Sequence, residues 1–141
     1  MNQYFRNVGA ELSDLIVTPT DANVNMPPSN PKSIFIYPTN SQEVSNIINS
    51  MELKNGGVDN INVKTLKLLL HHIQAPLVHI INLSISMSVW PTALKKAEIS
   101  PIHKSGSRSI ASNYRPISLI SNLAKVFEKV IHNGILQFVN K

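Results

Sequence analysis

Three cationic side chains within one short stretch of the sequence could bind phosphate. Lys104 and Arg108 lie between two runs of β-compatible residues, and Arg115 lies near the start of the second run. A lysine supplies a compact point charge and an arginine supplies a planar fork of donors, so the two together suit a phosphate group. Residue types alone favour an ordinary solvated hairpin loop, and the phosphate site needs support from the rest of the chain.

Acid-base, nucleophilic and metal chemistry have little support. No two of the three aspartates have a spacing that would hold a metal ion, and no serine lies in a Gly-x-Ser-x-Gly motif. The aspartates are Asp14, Asp21 and Asp59. Three histidines lie close in sequence, at positions 71, 72 and 79, and positions 72 and 79 would be two helical turns apart on one helix. Pro76 is expected to break that helix, and neither a cysteine nor a nearby acid supplies a further ligand. We therefore predict no catalytic residue and no metal site.

The low charge content hints at a piece of a larger protein, and the basic charge is concentrated in the C-terminal third of the chain. The 141 residues are 43% hydrophobic and only 15% charged, so we expect one domain, or part of one, with apolar surface that further protein covers. Eight of the 13 Lys and Arg residues lie in 91–141, together with only two of the eight acidic residues. A polyanion such as nucleic acid or a nucleoside triphosphate would be attracted there, although a solvated lysine-rich surface explains the charge equally well.

The cellular setting is expected to be intracellular, in the nucleus or the cytoplasm. The chain has no cysteine, which excludes disulfides and thiol chemistry and fits a reducing compartment. No secretory leader is expected. The most apolar stretch, residues 76–90, is interrupted by His79, Asn82 and several serines, so we expect no membrane-spanning segment.

The hydrophobic pattern predicts a mainly helical α+β fold with one small antiparallel β-hairpin. Helices are predicted at 2–17, after cap candidates at 39–41, after Asn62, from Pro76 onwards, and at 121–139. The helices on either side of Pro76 are expected to pack as a hairpin, and residues 54–57 are expected to stop the helix before them. Residues 18–33 indicate an extended linker, 34–37 a short strand, and 97–119 a strand, a basic loop and a second strand. Trp90 is interpreted as a packing residue.

Several segments resemble the early sequence blocks of non-LTR (LINE-type) retrotransposon reverse transcriptases. They are Trp90-Pro91, residues 97–106 (AEISPIHKSG) and residues 113–119 (NYRPISL), in the order and spacing of that family. Residues 57–61 (GVDNI) are similar to a preceding Gly-Pro-Asp-Gly-Ile block, from which Val58 and Asn60 depart. Residues 4–9 and 33–39 resemble the stretch between the endonuclease and polymerase domains. The resemblance therefore covers nearly the whole chain.

The resemblance implies that the chain is the N-terminal, fingers-bearing portion of a reverse transcriptase. It places residues 1–17, an amphipathic helix, in the connecting region and residues 41–141 in a partial fingers region, with a Pro/Asn/Ser-rich linker at 18–40 between them. In that family the fingers hairpin binds the triphosphate of the incoming dNTP through a lysine and an arginine, which the match puts at Lys104 and Arg115. Arg108 is a further candidate for contact with nucleic acid, and Asp59 is expected to shape a turn.

The same resemblance implies that RNA template, DNA primer and dNTP are partners of the intact enzyme, together with its palm and thumb. The aspartates that hold two Mg²⁺ ions belong to the palm, and we expect the chain to end before them. The chain alone is therefore expected to bind no cofactor and to be inactive as a polymerase. A stand-alone helical module that binds nucleic acid or a partner without catalysis is the alternative.

Overall fold

Four α-helices and one β-hairpin make up the computed structural model, which describes residues 2–16, 34–53 and 57–140. The elements are α1 (Asn2–Asp14), α2 (Ser41–Ser50), α3 (Val63–Met87), β1 (Ala97–His103), β2 (Tyr114–Ile120) and α4 (Asn122–Val139). Short 3₁₀ turns at Thr92–Lys95 and Ala111–Asn113 precede the two strands. The predicted α+β class, mainly helical with one antiparallel hairpin, is confirmed.

The chain divides into two compact units. The first, Met1–Ser33 with Ser100–Ile117, contains α1 and the loop end of the hairpin. The second, Ile34–Ile99 with Ser118–Lys141, contains α2, α3 and α4. The predicted linker, residues 18–33, lies outside the described residues, as do residues 54–56 of the predicted helix stop. The assignment of residues 1–17, 18–40 and 41–141 to parts of a polymerase stays a prediction.

The hydrophobic core of the second unit lies where α2, α3 and α4 pack together. Its largest fully buried apolar side chains are Val44, Ile48, Val63, Ile81 and Val126. The Trp90 ring lies edge-on to the Phe127 ring, with their centroids 5.7 Å apart, and packs against this core. The interpretation of Trp90 as a packing residue is therefore confirmed.

The helices of the core begin at predicted capping residues. Asn40, Asn62 and Ser121 each accept a hydrogen bond from the backbone N–H three residues ahead, at 2.9, 2.8 and 3.0 Å. A side-chain oxygen in this position satisfies an N–H group that has no partner within the helix. The three predicted helix starts are thus confirmed, whereas α2 ends at Ser50, before the predicted glycine stop.

The α3 helix is continuous, so the prediction of two shorter helices packed as a hairpin around Pro76 is wrong. Proline removes one intrahelical hydrogen bond and leaves the carbonyl of His72 without its usual partner. Both residues are exposed, so water can hydrate that carbonyl. Burial of Leu66 before the proline and of Leu77 and Ile81 after it, in one core, stabilises the uninterrupted helix.

The α3 helix is also long and apolar enough to cross a membrane, judged by length and composition alone. Three of its side chains, Leu66, Leu77 and Ile81, belong to the core that α2 and α4 complete. A further apolar set on α3 is exposed, namely Leu68, Leu69, Ile80, Leu83 and Met87. This exposed set agrees with the low charge content, which led us to expect apolar surface that further protein covers.

Residues 34–37 form no strand, contrary to the prediction. Contacts with two helices hold this segment. Thr39 exchanges two hydrogen bonds with the Asn82 side chain of α3, at 2.8 and 2.9 Å. Ile36 lies against Gly134 of α4, where an added Cβ would come within 3.0 Å of the Ile36 side chain. Among the described residues, the only sheet is the one formed by β1 and β2, so the segment has no strand with which to pair.

A buried amide joins the start of α4 to the chain that precedes α3. Asn122 is 0% exposed, its Nδ2 donates to the Ile61 carbonyl at 2.7 Å, and its Oδ1 accepts from Lys125 Nζ at 2.9 Å. Gly57 packs on the adjoining backbone, since an added Cβ would overlap the Ile120 carbonyl. The end of β2 and the start of α4 are thereby fixed against residues 57–61.

We expect Asn122→Ala to lower the free energy of unfolding by about 1–3 kcal/mol, because the Ile61 carbonyl would lose a buried donor. Urea unfolding followed by circular dichroism measures this change. Asn46→Ala is the matched control: Asn46 is exposed and its amide bonds only Gln42, so we expect a change within about 0.5 kcal/mol. Equal effects of the two substitutions would contradict the assignment of a stabilising role to the buried amide.

Candidate phosphate-binding hairpin

A hydrogen bond between its two ends closes the loop of the hairpin. The Lys104 N–H donates to the Asn113 carbonyl at 2.8 Å. Continued along the strands, this pairing sets His103 opposite Tyr114 and Ile102 opposite Arg115, in agreement with the ends of β1 and β2. The His103 and Tyr114 ring centroids lie 5.2 Å apart, as expected for opposed residues. The predicted strand, basic loop and strand are confirmed.

Two prolines fit this register. Pro101 and Pro116 lie opposite each other, one pair beyond Ile102 and Arg115. Hydrogen-bonded and non-hydrogen-bonded pairs alternate along an antiparallel ladder, and the bond from Lys104 makes this proline pair a non-hydrogen-bonded one. A backbone N–H at such a position points away from the partner strand. The missing N–H of each proline therefore removes no bond between β1 and β2.

The side chains of Lys104 and Arg115 belong to the same face of the hairpin. Side chains alternate between faces with a period of two, so Lys104 shares a face with Ile102, which is opposite Arg115. The two cationic residues are diagonal cross-strand neighbours, a relation that separates residues by about 7–8 Å. A single phosphorylated ligand could contact both. Sequence alone could not establish this, because the face depends on the register.

All three predicted cationic residues are free to attract an anion. Lys104, Arg108 and Arg115 are exposed. Within the part of the chain that the structure describes, none of their side chains has an ion-pair or hydrogen-bond partner. Arg108 lies in the loop, while Lys104 and Arg115 flank its two ends. The structure thus brings Lys104 and Arg115 to one face, and it leaves Arg108 at the tip.

Gly106 gives the loop a conformation that a larger residue would oppose. Its φ is +78°, in the left-handed region that L side chains rarely adopt. An added Cβ would lie 2.7 Å from Nδ2 of Asn113. That nitrogen also donates to the Ser107 carbonyl at 2.9 Å. Gly106 and the Asn113 amide are therefore packed together as one ordered turn.

Side chains at the ends of the two strands also bind the loop backbone. Tyr114 donates its hydroxyl hydrogen to the Arg108 carbonyl at 2.9 Å, and His103 Nε2 lies 3.1 Å from the Gly106 carbonyl oxygen. Sequence reasoning matched Asn113 and Tyr114 to a family block but gave them no role. Their acceptors are loop carbonyls six residues away, and no residue pattern identifies such a partner. These side chains limit the conformations of the loop that carries Arg108.

The acidic and histidine residues in the described ranges show no cluster that could hold a metal ion. Among the described residues, no three His, Cys, Asp or Glu side chains come together. His71 and His72 lie exposed on α3, with ring centroids 5.5 Å apart. The Asp59 carboxylate accepts the Ile61 N–H at 3.1 Å, in a turn where Asn60 has φ +57°. The expected turn-forming role of Asp59 is confirmed.

Comparison with known proteins identifies relatives for most of the chain. It is 37% identical over 105 residues to a probable RNA-directed DNA polymerase from transposon BS of Drosophila melanogaster, covering 73% of this chain and 12% of that protein. It is 35% identical over 97 residues to the RNA-directed DNA polymerase from mobile element jockey of the same species, covering 67% of this chain and 11% of that protein. No family model matches. The chain thus spans about one ninth of the curated relatives it matches, and the resemblance inferred from motifs is confirmed.

We expect Gly106→Ala to loosen the hairpin loop, because the new methyl group would meet the Asn113 amide at a backbone conformation that alanine disfavours. Amide hydrogen exchange of Lys104, whose N–H closes the loop, should accelerate about tenfold. Gly9→Ala is the control, since nothing lies within 4 Å of a Cβ added there, in α1. An unchanged Lys104 exchange rate in Gly106→Ala would show that the glycine does not constrain the loop.

Proposed function

Because this chain belongs to the family of RNA-directed DNA polymerases from non-LTR mobile elements and matches one segment of them, we propose that its hairpin binds the triphosphate of an incoming deoxynucleotide. Lys104 and Arg115 are the proposed ligands. The observation that carries the proposal is the register, which gives both cations the same face of an ordered hairpin. Their exposure leaves that face open to a ligand.

The two side chains offer complementary contacts to a triphosphate. The guanidinium of Arg115 can donate two parallel hydrogen bonds to one phosphate, whereas the Lys104 ammonium can turn toward any nearby oxygen. Pro116 restricts the backbone of the preceding residue, Arg115, to extended conformations. This restriction limits the directions in which the Arg115 side chain can leave the backbone. The backbone at Arg115 therefore needs little reordering when the ligand binds, and that favours affinity.

The proposal assigns this segment to substrate binding within a larger polymerase. RNA template and DNA primer would be the partners of that enzyme, and exposed Arg108 would contact one of the two strands. Nucleotidyl transfer of this class uses Mg²⁺ ions held by clustered carboxylates. The described residues bring no such cluster together. The role that we propose for this segment is to hold the triphosphate. Template-directed synthesis by reverse transcriptases takes place inside the cell, and we propose an intracellular location for this chain.

A second candidate function is a non-catalytic module that binds nucleic acid. The observation that favours it is the core of the second unit, in which α2, α3 and α4 bury one continuous apolar cluster. No buried side-chain N or O atom among the described residues lacks a hydrogen-bond partner. A unit so packed has the features of one that folds by itself. The two candidates differ in whether dNTP binding depends on Arg115.

We expect Arg115→Ala to weaken binding of a dNTP about tenfold or more at low salt, because a charge-assisted hydrogen-bond pair would be lost. Fluorescence anisotropy with a labelled dNTP measures affinity, and unlabelled dNMP should compete poorly because it lacks two phosphates. Arg115→Lys should recover part of the affinity. Lys96→Ala is the control, since Lys96 is exposed and lies outside the hairpin. Equal weakening by Lys96→Ala would contradict a specific site.

We also expect the 141-residue chain to extend no primer on an RNA template, with either Mg²⁺ or Mn²⁺, because the segment is proposed to bind substrate without performing the chemistry. Incorporation of labelled dNTP resolved on a denaturing gel measures this. A commercial reverse transcriptase on the same primer and template is the positive control. Template-dependent products above background would show that the chain contains a complete active site.

A further inference from the structure

Ser107, in the loop of the hairpin, has a hydroxyl that a modifying enzyme can reach. Its loop, residues 104–110, is exposed throughout. The Ser107 Oγ lies 2.8 Å from the Ser109 Oγ and accepts the Ser109 N–H at 3.4 Å. The bond by which Asn113 holds the loop uses the Ser107 carbonyl instead, so a group attached to Oγ would leave that bond in place. Exposed loops open locally at low free-energy cost, and the segment can therefore enter an enzyme's groove.

The fold places Ser107 beside the cations of the loop. The Asn113 side chain binds the Ser107 carbonyl at 2.9 Å, and the Asn113 carbonyl accepts the Lys104 N–H at 2.8 Å. Ser107 is therefore folded back onto the pair of residues that closes the loop. Arg108 is the next residue along the chain, and no aspartate or glutamate occurs in residues 99–127. A negative group on Ser107 would have cations as its nearest charged neighbours in sequence.

The backbone around Ser107 also suits a phosphate. Ser107 begins a tight turn, in which the Ile110 N–H donates to the Ser107 carbonyl at 3.4 Å. Serine is common at this first position, because its hydroxyl oxygen can accept the backbone N–H two residues ahead, here that of Ser109. A phosphate group carries a charge of about −1.5 to −2 and three strong acceptor oxygens, so it would accept the same N–H more strongly.

We propose that Ser107 is a phosphorylation site for a protein serine kinase with an acidic substrate groove. Lys104 lies three residues before it and Arg108 directly after it, and a groove of opposite charge favours such neighbours. In the transfer, Ser107 Oγ bonds to the γ-phosphorus of ATP as the bond from that phosphorus to ADP breaks. The hydroxyl proton passes to the catalytic aspartate of the kinase. ATP is the only co-reactant.

One other serine in the sequence, Ser118, has a basic residue three positions before it, namely Arg115. Ser118 lies within β2, which pairs with β1, whereas Ser107 lies in the loop between the strands. A kinase could bind the segment around Ser118 only after the two strands separated, and that would break several ladder hydrogen bonds. The fold therefore favours modification of Ser107.

The consequence for ligand binding rests on the proposed function, because it concerns the same hairpin. A phosphate on Ser107 would pair with Lys104 and Arg108, and these cations would then attract a triphosphate less strongly. The negative charge of the phosphate would also repel an approaching dNTP. Phosphorylation would thus lower dNTP affinity while the loop stays folded.

The first test identifies the modified residue. The 141-residue chain is treated with ATP and a kinase that requires a basic residue three positions before the serine, and tandem mass spectrometry locates the phosphate. We expect one phosphate, on Ser107. Ser107→Ala should abolish it, and Ser118→Ala, the matched control, should retain it. Phosphate on Ser118 instead, or none under conditions that fully modify a peptide of residues 101–112, would overturn the assignment.

The second test measures the effect of the phosphate on affinity. Fluorescence anisotropy with a labelled dNTP at low salt compares the chain phosphorylated at Ser107 with the unmodified chain, and we expect binding to weaken about tenfold or more. Ser107→Asp, with a single charge, should weaken binding about threefold, and uncharged Ser107→Asn should leave it unchanged. Treatment with a phosphatase should restore the affinity. Equal affinity of the two forms would overturn the regulatory effect.

Failure of this inference and failure of the proposed function give different results. Amide hydrogen exchange of Ser109 should slow about tenfold on phosphorylation, because its N–H gains a charged acceptor, and this measurement needs no dNTP. If Arg115→Ala leaves dNTP affinity unchanged while Ser109 exchange slows, the proposed function alone is wrong. If Arg115→Ala weakens binding and phosphorylation of Ser107 changes neither quantity, this inference alone is wrong.

Discussion

The hydrogen bonds of the buried Asn122 amide are the constraint on which the arrangement of the second unit most depends. They tie the first residue of α4 to the Ile61 carbonyl, 61 positions earlier in the chain. A buried polar group without partners would cost more than a lost contact, so the amide admits few alternative positions for the helix start. The position of this helix start also determines where β2 ends and which face of α4 carries Lys125. One side chain thus links the core to the end of the strand.

Local signals in the sequence predicted local structure well, and tertiary contacts decided the rest. Asn40, Asn62 and Ser121 are cap residues whose partners lie three positions ahead, so short patterns identify them. Pro76 gave an equally local signal, but burial of side chains on both sides of it outweighed the lost hydrogen bond. The same reasoning explains the candidate site: Lys104 and Arg115 were predicted from residue type, whereas their common face follows from strand register.

Order in the hairpin loop arises from side chains that bind backbone, with no hydrophobic core beneath them. Asn113, Tyr114 and His103 each bond a loop carbonyl, and Gly106 supplies the one left-handed turn. Such bonds set the conformation of a loop while its cations stay hydrated. Cations carried on an ordered backbone lose less entropy on meeting an anion than cations on a flexible one, which is the physical advantage of an ordered loop over a flexible basic tail.

The facing prolines of β1 and β2 have a consequence for the behaviour of the chain in concentrated solution. In a sheet of two strands, each strand has an outer edge, and exposed Ile102 and Ile117 make this ribbon apolar as well. Such ribbons invite edge-to-edge pairing between copies and growth into fibrils. Pro101 and Pro116 each lack the backbone N–H that would point outward from their edge, and they lie at the same level of the sheet. A strand from another copy would therefore find no hydrogen-bond donor at that level on either edge. The hairpin, which is proposed to bind a ligand, is in this way protected from self-association.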